Sequence, residues 1–263
     1  IYIGKTQKLY KEFNNLQEEE NDTSNSNKYI FIVGMFRSGS TLVESILSQN
    51  NDVIPLGERN TFEESFIEWK KHRQTKKNLS LEHFYKKNIC KITKEVCITT
   101  NKGLYNYQYA GIIASQIKNS QIIHTYRHPL DNILSMYRTN FSSSSRYSSS
   151  LVDCAEIYIH QEEIMKEYKT RYPTRIYSCN YDSLVSEPKD QIKTLISWLD
   201  FKWDASYLSP HLNSRTVSTA SNVQIRSPIN SKSLGGWRNY KEMLQPAIDV
   251  LTKSNKYRNL VAE

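Results

Sequence analysis

Residues Tyr29 to Asn50 read YIFIVGMFRSGSTLVESILSQN. Tyr29-Ile30-Phe31-Ile32-Val33 is a continuous apolar run of β-branched and aromatic residues, which predicts a central strand covered on both faces. Gly34 and Gly39 then bracket a loop. Ser40 and Thr41 open a helix whose apolar positions, Leu42, Val43, Ile46 and Leu47, recur at helical spacing. A loop between strand and helix turns backbone N–H groups toward an anion, and the helix N-terminus adds positive potential. Gly34-x-x-x-x-Gly39-Ser40-Thr41 has the spacing of a phosphate-binding loop, but Ser40 stands where that motif requires lysine. The charge comes instead from Arg37, inside the loop. Arg37, Ser38, Gly39, Ser40 and Thr41 are suited to holding a compact oxyanion by hydrogen bonds alone. The plain alternative is a strand-to-helix turn with a capping serine. The glycine pair, Arg37 and the Ser-Thr opening together favour the anion site.

The whole chain sets the frame. Its 263 residues suffice for one α/β domain with a sizeable core. A net charge of +8 suits a polyanionic ligand, and by itself also suits nucleic acid or an acidic peptide. No apolar run approaches membrane-spanning length and no secretory signal is visible. Cys90, Cys97, Cys154 and Cys179 are scattered without metal-ligand spacing, which points to reduced thiols in the cytoplasm. A Cys90–Cys97 disulfide would instead imply a lumenal protein. The chain begins with Ile1, which suggests a segment of something longer. Residues 1–27 read as a helix, Tyr2 to Leu16, and a polar linker. That helix suits equally the end of an upstream helical domain or a docking helix of the main domain, residues 28–263.

Further along, Val53 and Ile54 predict a short strand, and Gly57 a turn presenting Glu58. On its own Glu58 reads as a surface glutamate. Residues 61–94 read as lysine-rich helices, with Phe62, Phe66 and Trp69 on a core-facing side. Glu95 to Thr99 predicts a strand ending in Thr100-Asn101-Lys102, and ligands of open parallel sheets bind at such carboxyl ends. Tyr105 to Ile117 predicts a helix and Gln121 to Tyr126 a strand that Arg127 terminates. Pro129 suits the first turn of the next helix, and Asp131 complements its dipole. Ser135 lies about two turns in, so Arg127 and Ser135 can form a second anion site. Phe141 to Ser150 reads as a loop and Leu151 to Tyr168 as a long helix. Thr174 to Cys179 reads as a strand, and a helix starts at Glu187-Pro188. The tail is basic and irregular until a final helix, Tyr240 to Leu251, with Met243, Leu244, Ile248 and Leu251 inward. The predicted fold is a three-layer, P-loop-like α/β domain with a mainly parallel sheet and helices on both faces.

IFIVGMFRSGSTLVESIL resembles the phosphosulfate loop of the sulfotransferases that use 3′-phosphoadenosine 5′-phosphosulfate (PAPS). It is most similar to the tyrosylprotein-sulfotransferase-like and bacterial tetratricopeptide-linked branch, whose loop reads PRSGTTL. Phe36 and Ser40 depart from that pattern. Arg127, Pro129 and Asp131, with Ser135 eight residues after the arginine, resemble the family's 3′-phosphate motif. Tyr181-Asp182-Ser183-Leu184-Val185 resembles its YEDLV signature. The tail from Arg215 to Ile229, followed by Gly236-Trp237, resembles its RxVxTASxxQVRxPI and GRW segments. The resemblance implies sulfonate transfer from PAPS to an acceptor hydroxyl, less readily an amine, releasing PAP without a metal. It assigns Arg37 to Thr41 to the 5′-phosphosulfate, and Arg127 and Ser135 to the 3′-phosphate. Tyr181, Ser221, Arg226 and Trp237 become donor-binding candidates. Lys102 would steady the leaving group, and Glu58 would be the base for the acceptor. The acceptor class stays open, as does an upstream helical-repeat domain; nucleic acid is not an expected partner. The rivals are a P-loop kinase or NTPase, against which the missing loop lysine stands, and a non-catalytic nucleotide-binding module.

Overall fold

The computed structural model describes residues 2–13, 27–73, 79–93, 98–139, 147–213 and 226–261. In chain order the elements begin with α1 (Tyr2–Phe13), β1 (Lys28–Gly34), α2 (Ser40–Leu47), β2 (Val53–Pro55), α3 (Thr61–Arg73) and α4 (Leu81–Ile89). They continue with β3 (Ile98–Asn101), α5 (Ala110–Gln116), β4 (Ser120–Tyr126), α6 (Pro129–Tyr137) and α7 (Leu151–Arg171). Last come β5 (Ile176–Asn180), α8 (Tyr181–Ser186), α9 (Pro188–Trp198) and α10 (Gln245–Leu251).

The strands form one sheet in the order β2-β3-β1-β4-β5. Every described pairing is parallel. β1 is therefore central, as its apolar run predicts. Its side chains alternate between two cores. Tyr29, Phe31 and Val33 pack with residues of α3, α4, α5 and α7. Ile30 and Ile32 pack with α2 and α9 on the other face. This is the three-layer α/β architecture expected of a parallel sheet whose crossovers cover both faces. A third cluster joins α6, α7 and α10 to Met35 and Trp237 beside the sheet's carboxyl edge. Because β3 and β4 flank β1, the chain reverses its direction of travel across the sheet there. Crevices at such reversals are where ligands of open α/β sheets lie.

The N-terminal helix is packed against this body. Leu9 and Phe13 of α1 belong to the larger core. The Phe13 ring meets Phe66 edge-on at 5.4 Å and lies 6.0 Å from Trp69. Truncating such a buried ring costs about 3 kcal/mol. We expect Phe13→Ala to lower the urea unfolding midpoint of the whole domain; an unchanged midpoint would mean that α1 contributes nothing to it.

Several expectations shift in detail. The helix predicted from Tyr105 begins as a 3-10 segment, Leu104–Tyr109, before α5. The final helix starts at Gln245, where Pro246 occupies its first turn, and not at Tyr240. Met243 therefore precedes the helix and is exposed, whereas Leu244, Ile248 and Leu251 are buried as predicted. Helix α8 was not expected as a separate element. The Asn180 side chain caps it, accepting from the N–H groups of Asp182 and Ser183. Cys90 is a free, exposed thiol, while Cys154 and Cys179 are free and buried. Cys97 and most of the Phe141–Ser150 stretch lie outside the described residues. Among the described residues, no helix is long and apolar enough to cross a membrane.

Candidate active site

Three strand ends meet at the carboxyl edge of the sheet. The first is the turn after β1. Gly34 has φ 146°, and a Cβ there would fall 2.2 Å from the Thr125 carbonyl oxygen, so β1 and β4 can approach only over a glycine. Gly39 has φ 96°, and a Cβ there would fall 2.3 Å from the Tyr181 ring. Between them Arg37 holds φ 67°, a left-handed conformation that a non-glycine residue adopts at a cost of about 1–2 kcal/mol. Its neighbours hold it there. The Asn132 amide donates to the Phe36 carbonyl at 2.6 Å. The Ser38 N–H donates to the Met35 carbonyl. The Ser38 hydroxyl lies 2.7 Å from that of Thr125, which in turn donates to the Val33 carbonyl. Ser40 and Thr41 are buried in the first turn of α2, where the helix's leading N–H groups lack intrahelical acceptors.

The second strand end carries Arg127. Its guanidinium lies over the Tyr181 ring, 4.7 Å from the centroid, and donates to the Ser233 carbonyl at 2.8 Å. Asp131 and Asp182 stand at 3.8 Å and 4.0 Å. Burial, and then the nearby Arg127 charge, push the Arg37 guanidinium below its ordinary pKa. Arg127 is buried and Arg37 part-buried, so an anion bound beside both would relieve their mutual repulsion. Ser135 bridges toward the loop, because its hydroxyl accepts from Arg37 Nε at 3.1 Å. Sequence reasoning had paired Ser135 with Arg127; in the structure its described side-chain hydrogen bond is to Arg37, so the loop after β1 and helix α6 meet at Ser135.

The third strand end holds Lys102 and Glu58. The Lys102 side chain is fully buried, and its ammonium pairs with Glu58 Oε1 at 2.5 Å. The Glu58 side chain is 43% exposed, so one partner faces solvent while the other does not. Gly57 makes this possible. With φ 64° it turns the chain after β2, and its carbonyl accepts the Lys102 N–H at 2.9 Å. Asn101 ties down the same corner by bonding to the Arg59 carbonyl, Gly103 N–H and the Asn106 amide.

A strap crosses the site from the C-terminal side. Asp131 accepts the backbone N–H groups of Gly235 at 2.8 Å and Trp237 at 2.9 Å. The Tyr181 hydroxyl lies 2.8 Å from that of Ser233. The Trp237 indole is buried and stacks on His128, 5.2 Å between centroids and only 4° from parallel. Arg226 is exposed, and Ser221 lies outside the described residues. Sequence reasoning gave Asp131 a dipole role and missed its hold on the strap, because its partners lie more than a hundred positions away. It also missed Asn132 and Glu44. Burial raises the Glu44 carboxyl above its ordinary pKa, while Lys102, the Thr100 hydroxyl and the Gly57 N–H pull it back.

The model of the Sulfotransferase family matches residues 29–92 and 78–205, more than half of the chain. The chain belongs to the sulfotransferase family. The match runs from β1 through α9 and includes all three strand ends just described. A protein of Aquifex aeolicus (strain VF5), itself uncharacterized, is 28% identical to this sulfotransferase over 255 residues, 88% of the chain. The alignment covers only 33% of that relative, so this chain spans about a third of its length. Among solved structures, the sulfotransferase domain of the Synechococcus PCC 7002 olefin synthase superposes with a TM-score of 0.60 at 17% identity. It covers 90% of this chain and 98% of that one. Mouse sulfotransferase SULT7A1 complexed with PAP superposes with a TM-score of 0.57 at 14% identity, covering 92% and 89%. At these identities the likeness is one of fold. It places this sulfotransferase among P-loop-like α/β domains, in agreement with the parallel sheet.

Proposed function

We propose that this domain transfers a sulfonate group from PAPS to an acceptor hydroxyl, releasing PAP and a sulfated product. The observation that carries the reading is the pair of guanidiniums, Arg37 and Arg127, at neighbouring strand ends, with Lys102 and Glu58 at the next. The residues present fit a donor with anions at two positions. Gly34 and Gly39 let the loop sit tight against Thr125 and the Tyr181 ring, where a Cβ at either position would clash. The mouse structure, solved with PAP, shares the fold. When bound, PAPS supplies the activated sulfonate.

The chain's own residues divide the work. The loop from Arg37 to Thr41 holds the 5′-phosphosulfate, through the guanidinium, the hydroxyls and the leading N–H groups of α2. Arg127 and Ser135 hold the 3′-phosphate, with Tyr181 beneath the Arg127 guanidinium. The strap from Ser233 to Trp237 closes over this end. Lys102 places its ammonium where charge builds on the leaving group. Glu58 takes the acceptor's proton on the carboxylate oxygen that Lys102 does not engage. The positive charges needed are thus supplied by side chains and a helix terminus. The open exposure of Glu58 admits acceptors of many shapes. The tetratricopeptide-linked branch and an upstream helical domain are part of the same proposal, and the threefold length of the Aquifex relative leaves room for one.

The experiment is calorimetric titration of the protein with PAP in EDTA, with ATP and AMP as controls. PAP is expected to bind, and to fail with Arg127→Ala. Binding of ATP with none of PAP would replace this reading with a nucleotide kinase.

A further inference from the structure

The strap from Ser233 to Trp237 is tied to the second strand end in two ways. Ser233 makes the first tie. Its carbonyl accepts from Arg127 at 2.8 Å, and its hydroxyl lies 2.8 Å from that of Tyr181. Asp131 makes the second, and it uses both carboxylate oxygens. Oδ2 accepts the Gly235 N–H at 2.8 Å and Oδ1 the Trp237 N–H at 2.9 Å. Gly235 permits this convergence. With φ 68° it heads the 3-10 turn Gly236–Tyr240, and a left-handed residue beside a helical turn aims nearby N–H groups at one anion. The carboxylate is buried, at 4% exposure, and its Oδ2 lies 3.8 Å from the Arg127 guanidinium. The Trp237 indole, held by its own N–H, stacks on His128 beside it.

The two ties differ in what a bound nucleotide does to them. Ser233 engages Arg127 and Tyr181, the groups assigned above to the 3′-phosphate, so a phosphate arriving there competes with it. Asp131 engages backbone N–H groups of the strap, and a carboxylate offers a phosphate nothing but repulsion. Its bonds therefore outlast the exchange. We propose that Asp131 is a positioning residue for the donor, the latch that keeps the strap over the 3′-phosphate end when a phosphate takes Arg127 from Ser233. This rests on the sulfotransferase reading above. Hydrogen bonds to an ionised acceptor are the strong ones, and N–H groups deprived of a buried acceptor are costly to leave unmade. The latch thus sets how long the nucleotide stays.

Asp131→Asn tests it, because asparagine keeps the shape but has one acceptor oxygen for two N–H groups. The rates of PAP association and dissociation are measured by surface plasmon resonance in EDTA, beside the binding stoichiometry and a thermal melt. Asp131→Asn is expected to release PAP about 10- to 100-fold faster, with an association rate within about threefold of wild type. A merely structural acid would lower the fraction of protein that binds and leave the release rate alone. Release within twofold of wild type, or a change confined to stoichiometry, overturns the proposal. Should Asp131→Asn not fold, Gly235→Ala decides from the other side of the same bonds. Alanine strains the left-handed residue that presents them, and a several-fold faster release is expected. Unchanged release there overturns the proposal too. If wild type itself does not bind PAP, it is the sulfotransferase reading that has failed.

Discussion

Arg37→Ala abolishes the donor site while leaving the fold intact. The guanidinium faces the place where the 5′-phosphosulfate is proposed to bind. Its loss removes charge-assisted hydrogen bonds worth about 3 kcal/mol, or roughly a hundredfold in PAP affinity. Turnover falls further, by about a hundred- to a thousandfold, because the same charge also meets the anion as it develops. The stability effect runs the other way. Arg37 is partly desolvated and repelled by Arg127, which lowers its pKa. Removing it relieves that repulsion, so the melting temperature is expected to hold or rise as binding is lost. Calorimetry with PAP and a thermal melt on the same sample check both halves. Retained PAP affinity would mean that the loop after β1 is not the donor site. Arg37→Gly is the companion variant, since glycine accepts φ 67° without cost and separates loss of charge from backbone relaxation.

Glu58→Ala gives the opposite pattern: donor binding survives and turnover is lost. General-base catalysis contributes about a hundred- to ten-thousandfold, and kcat should fall within that range. PAP affinity should stay near that of wild type, because Glu58 sits on the turn after β2, away from both arginines in the sheet order. The buried Lys102 ammonium loses its 2.5 Å partner, so a loss of stability accompanies the variant, and kcat is compared per folded enzyme. Full activity in Glu58→Ala would require another base.

The central strand and its loop were legible because their signals are local. Five consecutive apolar residues and two glycines specify a buried strand and a tight turn without reference to the rest of the chain. Arg127 and Lys102 were legible for a related reason, since each follows directly on a predicted strand and strand ends of parallel sheets face the ligand crevice. What escaped depends on distant partners. Glu44 reads as the polar position of an amphipathic helix, yet α2 is enclosed nearly all round, so its acid is internal. Asp131 carries a helix-terminus signature that is real but secondary to its bonds with the strap. Met243 was placed inward by a helical period extended too far, although Pro246 marks where that helix can begin. Asn180 carried a legible cap signal for α8 that the strand reading overlooked.

The order of strands also governs when the molecule can come into being. β1 pairs with β3 and β4, not with the strand that follows it in sequence, so Lys28 must wait for Ile98 and Tyr29 for Ser120. Such distant pairings slow folding, because loop closure must precede the contacts that reward it. During synthesis, a chain halted before His124 has the YIFIV run with at least one ladder of N–H and C=O groups incomplete. Truncated products ending there are expected to aggregate, as exposed apolar strand edges do. The loop after β1 takes shape only once its neighbour β4, written some ninety residues later, has left the ribosome.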